Sequence, residues 1–284
     1  MKPRPLAYAR PGTLTEAFDL LEQHGDEARV LAGGQSLMAS LAMRLSSPAV
    51  LVDIAHIGEL KGINVGAGTI RIGALTRHVE LQKSPTITEQ IPLLAAAVPH
   101  IAHHAIRTRG TIGGSLAYAD PAAELPVVCR ALEATMVLQS RNGERRVAAD
   151  DFFLGLFQTA LKPGELLTAV ELPVAKPGER FGFQELARRH GDYAIVGLAA
   201  RARFDGGRLT GVRLVYLGAG NRPMLAGEAA AALEGKAPDA AAVAAAKAAL
   251  THDLDPPTDL NGPPEMKLHL ARVLTGRVLD QMLA

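Results

Sequence analysis

Two glycine pairs constrain this chain before any helix or strand is drawn. The first lies in Ala32-Gly33-Gly34-Gln35-Ser36-Leu37, directly after an apolar, strand-like run at 28–32. The second lies in Arg109-Gly110-Thr111-Ile112-Gly113-Gly114-Ser115. A residue without a Cβ lets the backbone approach a neighbour closely and turn successive N–H groups toward it. A hydroxyl beside each pair adds a further donor, and pyrophosphate wants such an array of donors. Either pair alone reads as a tight turn. Two pairs, far apart in sequence and each flanked by Ser or Thr, also suit a clasp that holds one diphosphate from both sides.

Other nucleotide and catalytic signatures are missing. Gly66-Ala67-Gly68-Thr69-Ile70-Arg71 is a near miss for the dinucleotide fingerprint, because it lacks the third glycine and no helix follows. There is no P-loop and no His-Glu-x-x-His zinc motif. The stretch 34–38 lacks the closing glycine of a nucleophile elbow. The net charge of +1, the absence of Trp and an aromatic content of 4% argue against a nucleic-acid surface. No apolar run reaches the roughly 18 residues that span a bilayer. The N-terminal stretch 1–13 has no apolar core or small-residue cleavage site, so a cytoplasmic location is the expectation. The single cysteine, Cys129, cannot form an internal disulfide or hold an iron–sulfur cluster; its apolar neighbours predict a buried, inert thiol.

The pattern along the 284 residues predicts three units: 1–55, 56–176 and 177–284. In the first, Thr13 and Glu16 form a capping box for a helix whose stripe is Leu14, Ala17, Phe18 and Leu21, with Gly25 as its stop. Strands are expected at 28–32 and 50–54. The second unit has short strands at 63–65 and 69–72, a helical stretch at 91–106, and a helix opened by Asp120-Pro121 that runs to about residue 134. A hairpin at 135–147 turns on Asn142-Gly143. After the breaker Lys176-Pro177-Gly178-Glu179 come three strands, at 181–186, 196–204 and 209–217, and then an Ala-rich helical tail from Gly227. Strands and helices in segregated blocks predict an α+β fold.

A few polar groups have two readings each. His100, His103 and His104 suggest a metal site, but no acidic or histidine cluster accompanies them, and structural roles beside the second glycine pair are favoured. Arg107 and Arg109 either offset phosphate charge or sit in solvent. Tyr193, after Gly191-Asp192, is either a shield for a planar ring or an ordinary surface aromatic.

At its glycine segments the sequence resembles the FAD-binding medium subunits of the molybdenum hydroxylases, the xanthine dehydrogenase and carbon monoxide dehydrogenase family. The match is carried by Ala-Gly-Gly-Gln-Ser-Leu at 32–37, Leu-Val-Asp-Ile at 51–54, the whole stretch 101–115, Asp-Pro-Ala-Ala-Glu-Leu-Pro at 120–126 and Gly-Asp-Tyr-Ala at 191–194. It covers essentially the whole chain.

The resemblance implies an α+β, FAD-binding fold of the vanillyl-alcohol-oxidase (PCMH) type with a C-terminal three-stranded sheet plus helices. It implies that Ala32, Gly33, Gly34, Gln35 and Ser36, with Thr111, Ile112, Gly113, Gly114 and Ser115, bind the FAD diphosphate. Glu124 matches a position at the adenosine end, Leu167 an apolar position near adenine or flavin, and Tyr193 a position beside the isoalloxazine. Gln184 stands where the xanthine dehydrogenase domain has lysine. Family members work with a small subunit carrying two 2Fe-2S clusters and a large subunit carrying the molybdopterin cofactor, as a dimer of heterotrimers. An oxidoreductase subunit that passes electrons through FAD is therefore expected, with no acid–base or nucleophilic residue of its own. A stand-alone flavin reductase of the same fold and a non-catalytic scaffold subunit are the alternatives.

Overall fold

In a computed structural model that describes residues 2–284, the first helix, Leu14–His24, begins where Thr13 caps it. The Glu16 N–H donates to Thr13 Oγ1 at 3.2 Å. The reciprocal arm differs from the expected box: Glu16 Oε2 accepts from the Gly12 N–H at 2.7 Å, one residue further back. Gly25, at φ +48, ends the helix. Leu14, Ala17, Phe18 and Leu21 all bury against Val50, Val52 and Ile54. The strand behind that helix is the centre of a parallel sheet of Ala7–Ala9, Val50–Asp53 and Ala28–Leu31, in that spatial order.

A five-stranded antiparallel sheet follows, ordered Ile63–Val65, Thr69–Gly73, Leu166–Pro173, Thr135–Ser140 and Gly143–Ala148. The expected hairpin is its outer edge. Its central strand, Leu166–Pro173, shifts register between Leu167 and Ala169. Before it, ordinary alternation puts Leu166 in the first core and Leu167 in the second. The second core also gathers helices at 92–97, 112–118 and 124–131.

Two helical expectations change here. The stretch 91–106 is not one helix but Pro92–Ala97, a tight turn at Val98–His100, and His104–Arg107. Pro99 and the left-handed Ala102, at φ +43, break it. The helix assigned to Asp120-Pro121 starts later, at Glu124, and ends at Ala131. Asp120 Oδ1 instead accepts from the Ala122 N–H at 2.9 Å and closes a local turn.

The C-terminal sheet has the three expected strands, observed at Glu179–Ala187, Ala194–Asp205 and Arg208–Leu217. A two-residue fourth strand, Met224–Leu225, adds to its edge. One face of this sheet closes the second core. The other packs on helices Gly227–Leu233, Ala240–Asp253 and Pro264–Leu283. Alternation along the first strand decides which side chain faces which core. Phe183 and its partner Ala199 belong to the second core, whereas Leu198, the partner of Gln184, belongs to the C-terminal core.

Candidate functional site

The two glycine segments meet backbone to backbone. A Cβ added at Gly33 would lie 2.3 Å from Arg109 O and 2.8 Å from Gly110 Cα. One added at Gly114 would lie 3.7 Å from the Ala32 Cβ. Gly34 takes φ +71, the left-handed region that favours glycine. The Gln35 side chain folds back and donates from Nε2 to Gly33 O at 2.9 Å, which fixes the turn.

The segments contribute different donors. In the first, the N–H groups of Gly33, Gly34, Gln35 and Ser36 have no acceptor among the described residues, and the Ser36 hydroxyl caps nothing there. Four successive unpaired amides and a hydroxyl, beside an interrupted strand, fit the oxygens of a diphosphate.

The second segment is not a loop, as the glycines suggest, but the first turn of a helix, Ile112–Tyr118. Its amides are already used. Ile112 donates to Thr76 O at 3.0 Å, Gly113 to Ala74 O at 2.8 Å, and Gly114 to Thr111 Oγ1 at 3.2 Å. Gly113 is there for close packing, since a Cβ would lie 2.4 Å from the Ala74 Cβ. What this segment leaves free among the described residues is the hydroxyl of Ser115 and the O–H of Thr111, whose oxygen only accepts from Gly114. The amides of Ile112, Gly113 and Gly114 are thus taken up within the fold, and these residues form the wall against which the first segment is presented.

The arginines divide the same way. Arg107 is buried and neither meets phosphate nor sits in solvent. Its Nη1 donates to the carbonyls of Ile101 at 2.8 Å and Ala102 at 2.7 Å, and its Nε to Gln82 Oε1 at 3.1 Å. Arg109 is exposed and, among the described residues, forms no side-chain hydrogen bond or ion pair, so its charge remains available. Below the junction, His78 packs under Gly110 with both ring nitrogens unpartnered; burial lowers its pKa to about 4 and keeps it neutral.

A second group of side chains gathers beside the helix Ile112–Tyr118. Burial, then the charges of Glu185 and Asp120, push the Glu124 carboxyl up to about 8. The Tyr193 ring is 68% exposed, yet its hydroxyl is raised above its ordinary value by partial burial, Asp120, Tyr118 and Glu124, in that order. Its turn rests on the segment below: a Cβ at Gly191, which has φ +89, would come within 2.7 Å of the His103 ring. His103 is thus a packing surface, and the His100 ring packs against Phe183 in a tilted arrangement, centroids 5.2 Å apart. Among the described residues no cluster suited to a metal ion forms.

Leu167 is 5% exposed in the second core, beneath the helix that carries Gly113. Gln184 lies on the strand face turned toward the C-terminal core. It shares a strand face with Gly182, where a Cβ would lie 2.7 Å from Val278 in the last helix. The residue turned toward the site is its neighbour Glu185, which the sequence reading missed. Its signal was available, since Phe181 and Phe183 mark the inward face four and two residues earlier. Cys129 is fully buried, and burial raises its thiol pKa, so it is inert as expected.

Comparison with known proteins gives one answer for both halves. Residues 4–175 match the FAD binding domain in molybdopterin dehydrogenase, and residues 181–282 match the CO dehydrogenase flavoprotein C-terminal domain. The chain is 40% identical to the 6-hydroxypseudooxynicotine dehydrogenase complex subunit alpha of Paenarthrobacter nicotinovorans, over 100% of this chain and 96% of that one. It is 35% identical to the carbon monoxide dehydrogenase medium chain of Hydrogenophaga pseudoflava, covering 99% and 98% respectively. A solved carbon monoxide dehydrogenase structure from the latter organism superimposes with a TM-score of 0.97 at 37% identity, over 100% of this chain and 99% of that one.

Proposed function

The chain belongs to the FAD-binding medium subunits of the molybdenum hydroxylases, and on that premise we propose that it carries electrons from a partner's 2Fe-2S clusters through FAD to an external acceptor. It is the flavoprotein subunit of an oxidoreductase. The single observation that carries the residue assignment is the row of unpaired amides at 33–36, pressed against the helix that starts at Ile112.

In this reading Ala32, Gly33, Gly34, Gln35 and Ser36 hold the diphosphate, with Thr111 and Ser115 lending hydroxyls from the opposite wall. Ile112, Gly113 and Gly114 set the spacing of that wall. Leu167 supports it from the core. Tyr193 covers one face of the flavin ring and limits access by solvent, the ring offering an apolar face and the hydroxyl a polar edge. When bound, FAD supplies the electron-transfer chemistry, while the chain contributes binding, orientation and electrostatics.

The partners in this reading are a small iron–sulfur subunit and a large molybdopterin subunit, assembled as a dimer of heterotrimers. We read the chain as three lobes, 1–55, 56–176 and 177–284, three in number like the apolar cores, although the first two cores also draw residues from beyond these bounds. No helix of the described residues is long and apolar enough to cross a membrane, and we place the complex in the cytoplasm.

The test needs no knowledge of the substrate. The iron–sulfur subunit is reduced beforehand, freed of excess reductant and mixed anaerobically with the FAD-loaded chain. The flavin absorbance should bleach in step with re-oxidation of the clusters. Flavin that stays oxidised while the clusters stay reduced would contradict the electron-transfer role.

A further inference from the structure

Lys267, near the start of the helix Pro264–Leu283, has a side chain only 1% exposed. An ammonium group taken out of water costs free energy unless acceptors meet it. Its Nζ donates to Pro257 O at 2.9 Å and to Asp259 Oδ2 at 2.6 Å. Both acceptors lie on the strap that joins the last two helices, residues 254–263. Leu254 is buried where the strap leaves the helix Ala240–Asp253, and the Asp255 N–H donates to Ala219 O at 3.1 Å. The tip is a tight turn. Asp259 and Gly262 exchange main-chain hydrogen bonds, and Asp259 Oδ1 accepts from the Asn261 N–H at 2.8 Å. Leu260, at that tip, is 95% exposed, so the buried lysine holds the tip where apolar packing does not.

Among the described residues, the tip bonds to one segment beyond the strap and its helix. Arg188 Nη2 donates to Leu260 O at 2.5 Å. Arg188 opens the turn 188–193, which joins the strands Glu179–Ala187 and Ala194–Asp205 and ends on Tyr193. Inside the turn the Asp192 N–H donates to Arg189 O at 3.1 Å. On the side away from the strap, Gly191 rests on the His103 ring and the Ala102 carbonyl. The Tyr193 ring is 68% exposed, so its own packing fixes it weakly. The backbone of the turn sets its place, and that turn is gripped from two sides.

We propose that Lys267 and Arg188 are positioning residues that brace Tyr193 through the strap 254–263, so that the C-terminal lobe sets how closely the flavin ring is covered. This rests on the reading of Tyr193 given above.

The two joints act in series. Lys267 fixes the tip, the tip presents the Leu260 carbonyl, and Arg188 carries that position into the turn. Loss of either joint leaves the Gly191 contact and both glycine segments in place. Affinity for FAD therefore stays within about twofold, as for substitutions away from a site. The cover over the ring loosens instead. One hydrogen bond of ordinary net strength changes the balance between a held and a released turn by about fivefold.

The test compares Arg188→Met and Lys267→Met, each alone and combined with Tyr193→Ala, on the full chain. Hydrogen–deuterium exchange of the FAD-free protein follows the amides of 188–193. On the FAD-loaded protein, flavin fluorescence reports a stacked tyrosine through its quenching, and the rate of re-oxidation of reduced flavin by oxygen reports access. Both single variants should exchange faster in 188–193, raise the fluorescence, and speed re-oxidation by about fivefold. These flavin effects should vanish when residue 193 is already alanine, because the brace then has nothing to place. Unchanged exchange in the turn overturns the proposal. So do flavin effects that persist in the Tyr193→Ala background, since they would reach the flavin by another route. Arg188 is exposed, so Arg188→Met decides the matter if Lys267→Met fails to fold. A Tyr193→Ala protein indistinguishable from wild type contradicts the covering role of Tyr193 itself, while faster exchange in the two brace variants would still establish the link from strap to turn.

Discussion

Gly33→Ala is expected to raise the Kd for FAD by at least about a hundredfold, equivalent to roughly 2.7 kcal/mol. The added methyl would sit 2.3 Å from the Arg109 carbonyl oxygen and 2.8 Å from the Gly110 Cα. Both obstacles are backbone, so neither can swing aside like the end of a flexible side chain. The strand end and the helix start must separate, and the unpaired amides at 33–36 then lose their place relative to the Thr111 and Ser115 hydroxyls. Overpacking of this kind also costs about 1–3 kcal/mol of stability. Gly58→Ala is the matched control, because nothing lies within 4 Å of its added Cβ. Flavin fluorescence gives the affinity and thermal unfolding by circular dichroism gives the stability. A Gly33→Ala protein that binds FAD as tightly as Gly58→Ala would show that the close approach of the two segments is irrelevant to the ligand.

Arg107→Met is expected to destabilise the chain by about 3–5 kcal/mol without touching the glycine segments directly. The guanidinium holds the carbonyls of Pro99, Ile101 and Ala102 together, and the side chain of Gln82 beside them. Methionine fills the volume but supplies no donor, so those acceptors stay buried and unpaired. The damage should spread to Tyr193. Ala102 sits at φ +43, a conformation that this clamp maintains, and its carbonyl oxygen and the His103 ring form the surface on which Gly191 rests. Denaturant unfolding checks the first expectation. A loss below about 1 kcal/mol would mean that water replaces the guanidinium at little cost.

The contrast between Arg107 and Arg109 shows where reading a sequence stops. Both are basic, two residues apart, beside a glycine motif. Only the broken helix at 98–107 turns one inward and leaves the other outside. The first helix was legible because its cap, stripe and stop are all local to 13–25. The helix Ile112–Tyr118 was not, because Gly113 and Gly114 disguise it, and the reason for them is a partner, Ala74, almost forty residues away. The strand Ala7–Ala9 was equally hidden, since its hydrogen bonds go to Val50–Asp53. Leu166–Pro173 lies at the middle of its sheet and begins as an unbroken buried run, so it lacks the alternation that marks an exposed strand.

Within the site, the first glycine segment was legible as chemistry because its amides have no other use. The second was legible as a motif, yet its amides serve the fold. Gln184 was inferred from a family position, and strand alternation puts it on the face toward the C-terminal core, with Glu185 on the opposite face.

The account stands on one claim: the two glycine segments together hold one FAD. Calorimetric titration of the FAD-free chain with FAD tests it most directly, run beside Gly33→Ala and Ser36→Ala. The account predicts saturation at one FAD per chain, a binding isotherm lost in Gly33→Ala, and a weaker but measurable one in Ser36→Ala, where a single hydroxyl donor is gone and the amides remain. FAD binding of unchanged affinity and stoichiometry in both variants would contradict it and place the flavin elsewhere on the chain.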